Sequence, residues 1–456
     1  MGTSNDTLGP FEKEGGVKRF DLTLWVFVVY LYGITLFGKG PTYIRIGPAY
    51  LGEILLFALL IWGHRRIGLR VAAKALPRTL RMVIICFLLW GMLRLLADLG
   101  SWGFDAIRDS AVCYYALFTF VGCAVAADDQ RAAAFWSRLR FAWVLVIPWL
   151  ILNAVTNEYF SQIQVFLNDA PMPLLSGSGS ESLMHMGLGA LLIVGVEGKS
   201  LVRNGVIASL LAGASFALVF GGYARGVKVA VGTVLVLCWV LQRRSEVSVF
   251  RKSQVKGIFT VALTVVIVLL AIKPSAILEG AQLVRFSDIE DVSGTAYWRQ
   301  VWWLSLVQEV TTQAPIFGLG FGENLTQYNP LPAGGDEDWP LRSPHNISIT
   351  IFSRMGLLGA TIWVLILLLG VGGLWRILWK SRHTYQGKRS TYFQALFFAS
   401  LVTAAFLNAS FGVLMEGPVL GIWFWFALGF CWGHVRRLQC EPSANGEMER
   451  AIAHPI

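Results

Sequence analysis

Residues 417–435 read GPVLGIWFWFALGFCWGHV, an apolar run without Asp, Glu, Lys or Arg. At about 1.5 Å of rise per residue, a helix of this length crosses most of a ~30 Å hydrocarbon layer. Moving back toward the N-terminus, similar blocks cover roughly 391–411, 347–375, 255–273, 225–242, 204–222, 181–197, 138–155, 109–126, 80–97, 48–63 and 21–38. They predict an all-α polytopic membrane protein of about twelve transmembrane helices, a single integral membrane domain over 1–456. The block at 347–375 is longer than one crossing needs, which predicts a turn at the membrane surface or a strong tilt. The block at 48–63 is short and contains Glu53.

Composition points the same way. The chain is 55% hydrophobic and 14% charged, whereas a soluble domain carries roughly a quarter charged residues. Eighteen Trp and twelve Tyr fit aromatic belts at two membrane interfaces. A net charge of +10 would suit a nucleic-acid binder, but the position of the charges argues against that class. Most of the 38 Lys and Arg fall in 1–20, 64–81, 127–140, 198–203, 243–256, 376–390 and 436–456, while 156–180 has none. Under the positive-inside rule this alternation puts both termini in the cytoplasm and the long connection 274–346 outside.

The first apolar run follows Lys18 and Arg19 but has no small-residue cleavage site, so it reads as a retained helix rather than a signal peptide. The six cysteines lie in apolar blocks or the C-terminal tail without CxxC spacing, which predicts neither a disulfide framework nor a metal site. No internal repeat is visible, and this disfavours transporters built from duplicated halves.

Segment 274–346 is too long for a simple connection and not low in complexity. Ser293 can cap a helix starting near Thr295, which places Trp298, Trp302 and Leu306 on one face before Pro315 closes it. The bland reading is an amphipathic helix with its tryptophans in the lipid headgroups. Gly318, Gly320 and Gly322 form a GxGxG; without a preceding strand it reads as a sharp turn and not as a nucleotide loop.

Three polar side chains on the expected outer side need a further explanation. Arg225 opens the span at 225–242, Arg299 lies on the loop helix, and His345 stands where the loop re-enters the bilayer. Each has a structural alternative: Arg225 snorkelling to lipid phosphate, Arg299 pairing with Asp288, Glu290 or Asp291, and His345 acting as a hydrogen bonder. His185, also on the outer side, reads as packed within its helix. Segment 274–346 holds nine Asp or Glu against three Arg, so a guanidinium there is not generic basic decoration. Two arginines offer planar, permanently charged forks suited to pyrophosphate. A histidine with an ordinary pKa of about 6.5 can take a hydroxyl proton near neutral pH. An outer face has no nucleotide-sugar supply, so a sugar donor there arrives already activated on a polyprenyl pyrophosphate.

The stretches that bear these residues are Tyr223-Ala224-Arg225-Gly226, Gly294-Thr295-Ala296-Tyr297-Trp298-Arg299, Pro315 to Gly322, and Ser343-Pro344-His345-Asn346 leading to Arg354-Met355-Gly356-Leu357-Leu358-Gly359. In order and spacing they resemble the O-antigen ligase and O-antigen polymerase superfamily of bacterial inner-membrane glycosyltransferases. The resemblance implies a GT-C-like fold, an undecaprenyl-pyrophosphate-linked glycan as donor, and metal-independent chemistry without a cofactor. It also implies His345 as catalytic base and Arg225 and Arg299 as donor-binding residues. Two features depart from the family pattern: Arg354 stands where an acidic residue is common, and Arg225 lies in an Ala-Arg-Gly context rather than Ser-Arg-Ser. The acceptor stays open among lipid A core, the end of another glycan, a protein serine and an exopolysaccharide. The alternatives are a polymerase of the same superfamily and, from another class, a flippase or transporter of lipid-linked sugars. A flippase needs charges along its midplane, and Arg94 and Glu53 do not form a continuous path. A purely structural membrane subunit has little use for the long Trp- and Gly-rich loop.

Overall fold

The computed structural model describes residues 21–46, 49–167, 170–175, 179–194, 205–221, 224–243, 295–331, 343–381 and 389–440. The expected span at 255–273, the loop residues Asp288, Glu290, Asp291, Ser293 and Arg342, and the basic segments at both termini lie outside them. Each of the other expected spans coincides with a helix, and the only sheets among the described residues are two short hairpins, Arg45–Tyr50 and Gln164–Pro173. Six helical stretches are long and apolar enough to cross a membrane: Arg78–Trp102, Phe104–Ala126, Asp129–Asn153, Ile347–Ser381, Ser390–Ala409 and Pro418–Arg436. Leu22–Phe37, Ser180–Val194 and Leu210–Phe220 are shorter apolar helices.

The apolar run 417–435 is the centre of the bundle. Phe424, Phe426, Leu428 and Phe430 are fully buried, so the helix Pro418–Cys440 faces protein on nearly every side. Small residues let its neighbour come close: a Cβ on Gly429 would overlap the Thr119 carbonyl, and one on Gly122 would overlap that of Phe426. Close backbone approach at small residues replaces the hydrophobic driving force that lipid cannot supply. Arg78–Trp102 is the opposite case. It exposes Met82, Leu89, Met92, Leu93 and Leu96, as a peripheral helix facing lipid does.

Contacts sort the connections to two ends. At one end Trp62 donates to Asp21 at 2.7 Å and Arg131 lies over the Trp62 ring. At the other, Gly40 presses on the backbone of Pro173 and Leu174, Tyr114 donates to Glu53 at 2.5 Å, and Gly322 packs on Trp102. Of these, Gly40, Pro173, Leu174, Trp102 and Gly322 belong to connections assigned above to the outside, and they share this second end. Glu53 also accepts from the Tyr50 backbone N–H, closing a capping box at the start of Leu51–Arg66. It is thus a helix-capping group at a membrane face.

The over-long block 347–375 is broken by glycine. Gly356 adopts φ 66° within the helical stretch that begins at Ile347, separating a short first segment from the crossing that follows. The break frees backbone groups, which find partners: Trp90 donates to the Met355 carbonyl at 3.1 Å and Leu357 N–H donates to Pro315 at 2.8 Å. Further on, Leu367–Gly372 forms a π-helical turn before Gly373–Ser381.

The loop helix, Thr295–Gln313, starts and ends where the sequence predicts. Its aromatic face does not lie in lipid headgroups, however. Trp302 and Leu306 are fully buried in a small separate core with Leu325, against Trp298, Leu319, Tyr328 and Ile349. Trp302 donates to the Leu325 carbonyl at 3.0 Å and Trp303 to Pro344 at 2.5 Å. The indole N–H groups of Trp302 and Trp303 are therefore fixed to the protein's own backbone.

Candidate functional site

His345 is the one non-glycine among the described residues with positive φ, at 58°. A bulky residue holds such a backbone only where its surroundings force it, at a cost of order 1–3 kcal/mol. Three contacts do so here. Asn346 caps the following helix, its side-chain oxygen accepting from Ser348 N–H at 3.0 Å and Ile349 N–H at 3.2 Å. Trp303 grips the Pro344 carbonyl. On the other side, the His345 N–H donates to Ser343 Oγ at 3.3 Å, and that hydroxyl donates to Glu416 Oε1 at 2.5 Å.

The imidazole stands edge-on to Trp298, with ring centroids 6.2 Å apart. Its Nε2 is buried and has no hydrogen-bond partner among the described residues. Burial, then the positive charges of Arg299 and Lys39, push its pKa down to about 4. A neutral imidazole with an unused ring nitrogen can accept a proton.

Arg299 follows Trp298 on the loop helix. One guanidinium nitrogen donates to the Phe411 carbonyl at 2.9 Å, while the buried Nε–H has no partner among the described residues. Burial lowers its pKa from the ordinary arginine value. A guanidinium always carries its charge in proteins, so this cation is incompletely satisfied without an anion.

Arg225 is the first residue of the helix Arg225–Arg243 and is exposed. The adjacent Gly226 sits so close to the 408–411 turn that a Cβ there would lie 2.8 Å from that of Phe411. Phe411 is thus a common neighbour: its carbonyl holds Arg299 and its side chain abuts the helix start that carries Arg225. The same connection, 410–417, supplies Glu416 beneath the His345 turn. One short link between the last two helices therefore meets Arg299 directly, the residue next to Arg225, and the Ser343 hydroxyl that holds the His345 N–H.

Sequence reasoning missed two groups. Lys39, in Gly38-Lys39-Gly40, lies near enough for its charge to act on His345; its signal was a lysine in an outer connection, where basic residues are scarce. Glu416 is the only charged residue of 410–417, and that isolation was its only mark. Burial pushes its pKa up to about 7, although hydroxyl donors Ser343 and Thr350 (2.7 Å) hold it down.

Other candidates are structural. His185 is buried, its Nδ1 accepting from Trp143 at 3.1 Å. The GxGxG donates its backbone N–H groups to the protein: Leu319 to Ser353 at 2.7 Å, Gly320 to Arg354 at 3.2 Å, Phe321 to Asp98 at 2.7 Å and Gly322 to Asp109 at 3.1 Å. Arg354 is buried, paired with Asp109 at 2.8 Å, and donates to the Gly320 and Glu323 carbonyls. Arg94 is likewise paired, with Asp98 at 3.1 Å.

The described residues are mostly helical, and several of their helices are long and apolar enough to cross a membrane. Residues 207–364 match the family model described as O-antigen ligase, so this stretch is similar to that family. The match spans Arg225, Arg299 and His345 but neither Lys39 nor Glu416. No curated protein matches the chain.

Proposed function

We propose that the protein transfers a glycan from an undecaprenyl-pyrophosphate donor to an acceptor hydroxyl at the periplasmic face of the bacterial inner membrane. The observation that carries this reading is His345, held in a strained backbone with an unpartnered Nε2 beside the half-buried cation of Arg299. His345 Nε2 takes the proton of the acceptor hydroxyl as its oxygen attacks the anomeric carbon. The bond from that carbon to the pyrophosphate oxygen breaks, and the departing charge is stabilised by Arg225 and Arg299. These arginines take the place of a divalent cation, and no cofactor is required.

The low pKa of His345 fits this sequence of events. Burial, and after it the charges of Arg299 and Lys39, make it a weak base in the free protein. A pyrophosphate seated on Arg299 offsets that charge and raises the basicity of His345, so base strength follows donor binding. The basic connections at the opposite end of the bundle support the periplasmic orientation.

The test is reconstitution in vesicles with undecaprenyl-pyrophosphate-linked glycan on the outward side and candidate acceptors: lipid A core, free glycan ends, peptide serine or exopolysaccharide. A new glycosidic product is expected, and growth of lipid-linked chains alone would assign polymerisation instead. Movement of the donor across the bilayer without any new glycosidic bond would overturn the reading in favour of a flippase.

A further inference from the structure

Glu416 lies outside the segment matched to the family and two residues before the start of the C-terminal helix, Pro418–Cys440. It is a carboxyl group that the transfer chemistry above does not use. We infer that Glu416 is a positioning residue for His345, acting through Ser343 to hold the imidazole in its left-handed backbone conformation; this rests on the proposed function.

The inference follows the hydrogen bonds outward from the strained residue. His345 N–H donates to Ser343 Oγ at 3.3 Å. A hydroxyl has one proton, and Ser343 gives its own to Glu416 Oε1 at 2.5 Å, leaving its lone pairs for the His345 N–H. The same carboxylate oxygen accepts from Thr350 Oγ1 at 2.7 Å, on the helix that Asn346 caps. One oxygen atom therefore ties the residues on both sides of His345, at 343 and 350, to a connection built from a different part of the chain. Ser343 is buried, so water does not readily replace the contact. The same connection holds Arg299 through the Phe411 carbonyl, so the base and the donor-binding cation share one support. Without the carboxylate oxygen, Ser343 can rotate, the His345 N–H loses its acceptor, and the backbone can relax out of the φ 58° conformation. The imidazole would then move while the cations that bind donor stay in place.

This predicts a kcat effect without a KM effect. In reconstituted transfer assays, Glu416→Ala should lower kcat about 10²-fold, the loss expected for misplacing a reacting group by roughly an ångström, with donor KM nearly unchanged. Glu416→Gln keeps an oxygen at the accepting position and should restore most of the rate. Ser343→Ala should reproduce part of the loss, and the Ser343→Ala/Glu416→Ala double variant should be no slower than Glu416→Ala alone, since both act through one path.

A Glu416→Ala enzyme with full kcat would overturn the inference, as would a Gln variant as slow as the Ala variant or losses that multiply in the double variant. Should Glu416→Ala fail to fold, Ser343→Ala decides: lowered kcat at constant KM supports the inference, and unchanged kcat overturns it. His345→Ala is run alongside. Full transfer by that variant would overturn the proposed function itself, whereas an inactive His345→Ala beside a fully active Glu416→Ala overturns only the positioning role.

Discussion

Two turns at the same end of the bundle, Gly318–Gly322 and Ser343–Asn346, both depart from ordinary backbone geometry, and they do so in opposite ways. In the first, positive φ falls on glycines, where it costs little, and successive N–H groups are bound by Ser353, Arg354, Asp98 and Asp109. In the second, positive φ falls on a histidine, and polar atoms beside it, His345 Nε2 and Arg299 Nε, lack partners among the described residues. Strain on glycines whose successive backbone N–H groups are all bound to the protein describes a scaffold. Strain with buried, unsatisfied donors and acceptors describes a site prepared for a ligand. The glycine turn, read from the sequence as a sharp turn, holds the loop helix to the bundle. The histidine turn is where the proposed transfer chemistry would take place.

The largest effect that separates the two regions should come from Arg354. Replacing it by Met leaves Asp109 and two buried carbonyls without its charge, at a cost of about 3–5 kcal/mol. Thermal unfolding in detergent should show a large drop in Tm, with activity falling in step with the folded fraction. A variant of unchanged stability and no activity would move Arg354 from scaffold to site. Arg299→Lys should do the reverse. The charge stays but the planar fork is lost, so transfer should fall about 10²–10³-fold with little change in Tm.

The smallest effect sharpens the electrostatics. Removing Lys39 takes away one of the charges that push His345 down. The base works when neutral, so kcat/KM for donor should fall as pH drops through its free-enzyme pKa, about 4 in the unaltered protein. In Lys39→Ala that acid limb should move upward, toward the ordinary histidine value of about 6.5. A limb that does not move would mean that Lys39 lies too far away to matter.

How much of this was legible in the sequence depends on the range of the interaction. Helical segments were readable because hydropathy is local, and the described helices fall where the apolar blocks predict. Arg225 and His345 stood out as polar residues at apolar boundaries, and Arg299 as a guanidinium in an acid-rich segment. The direction of the tryptophan face was not readable, since Trp302 meets a core completed by Leu325 and Ile349 from separate segments. The break at Gly356 was hinted at by excess length. Its cause is the approach of Gly318, where a Cβ would lie 2.5 Å from the Gly356 nitrogen. Glu416 and Lys39 gave almost no signal, because their meaning comes from residues more than sixty positions away.

The central claim is that His345 acts as the base and not as a structural element of the turn. The most direct measurement compares His345→Ala with the unaltered protein in vesicles, recording donor binding and glycan transfer on the same folded preparation. Donor affinity should remain within a few-fold, since the arginines are untouched, while transfer falls by about 10²–10⁴-fold. Transfer at the unaltered rate by a folded His345→Ala protein would contradict the account.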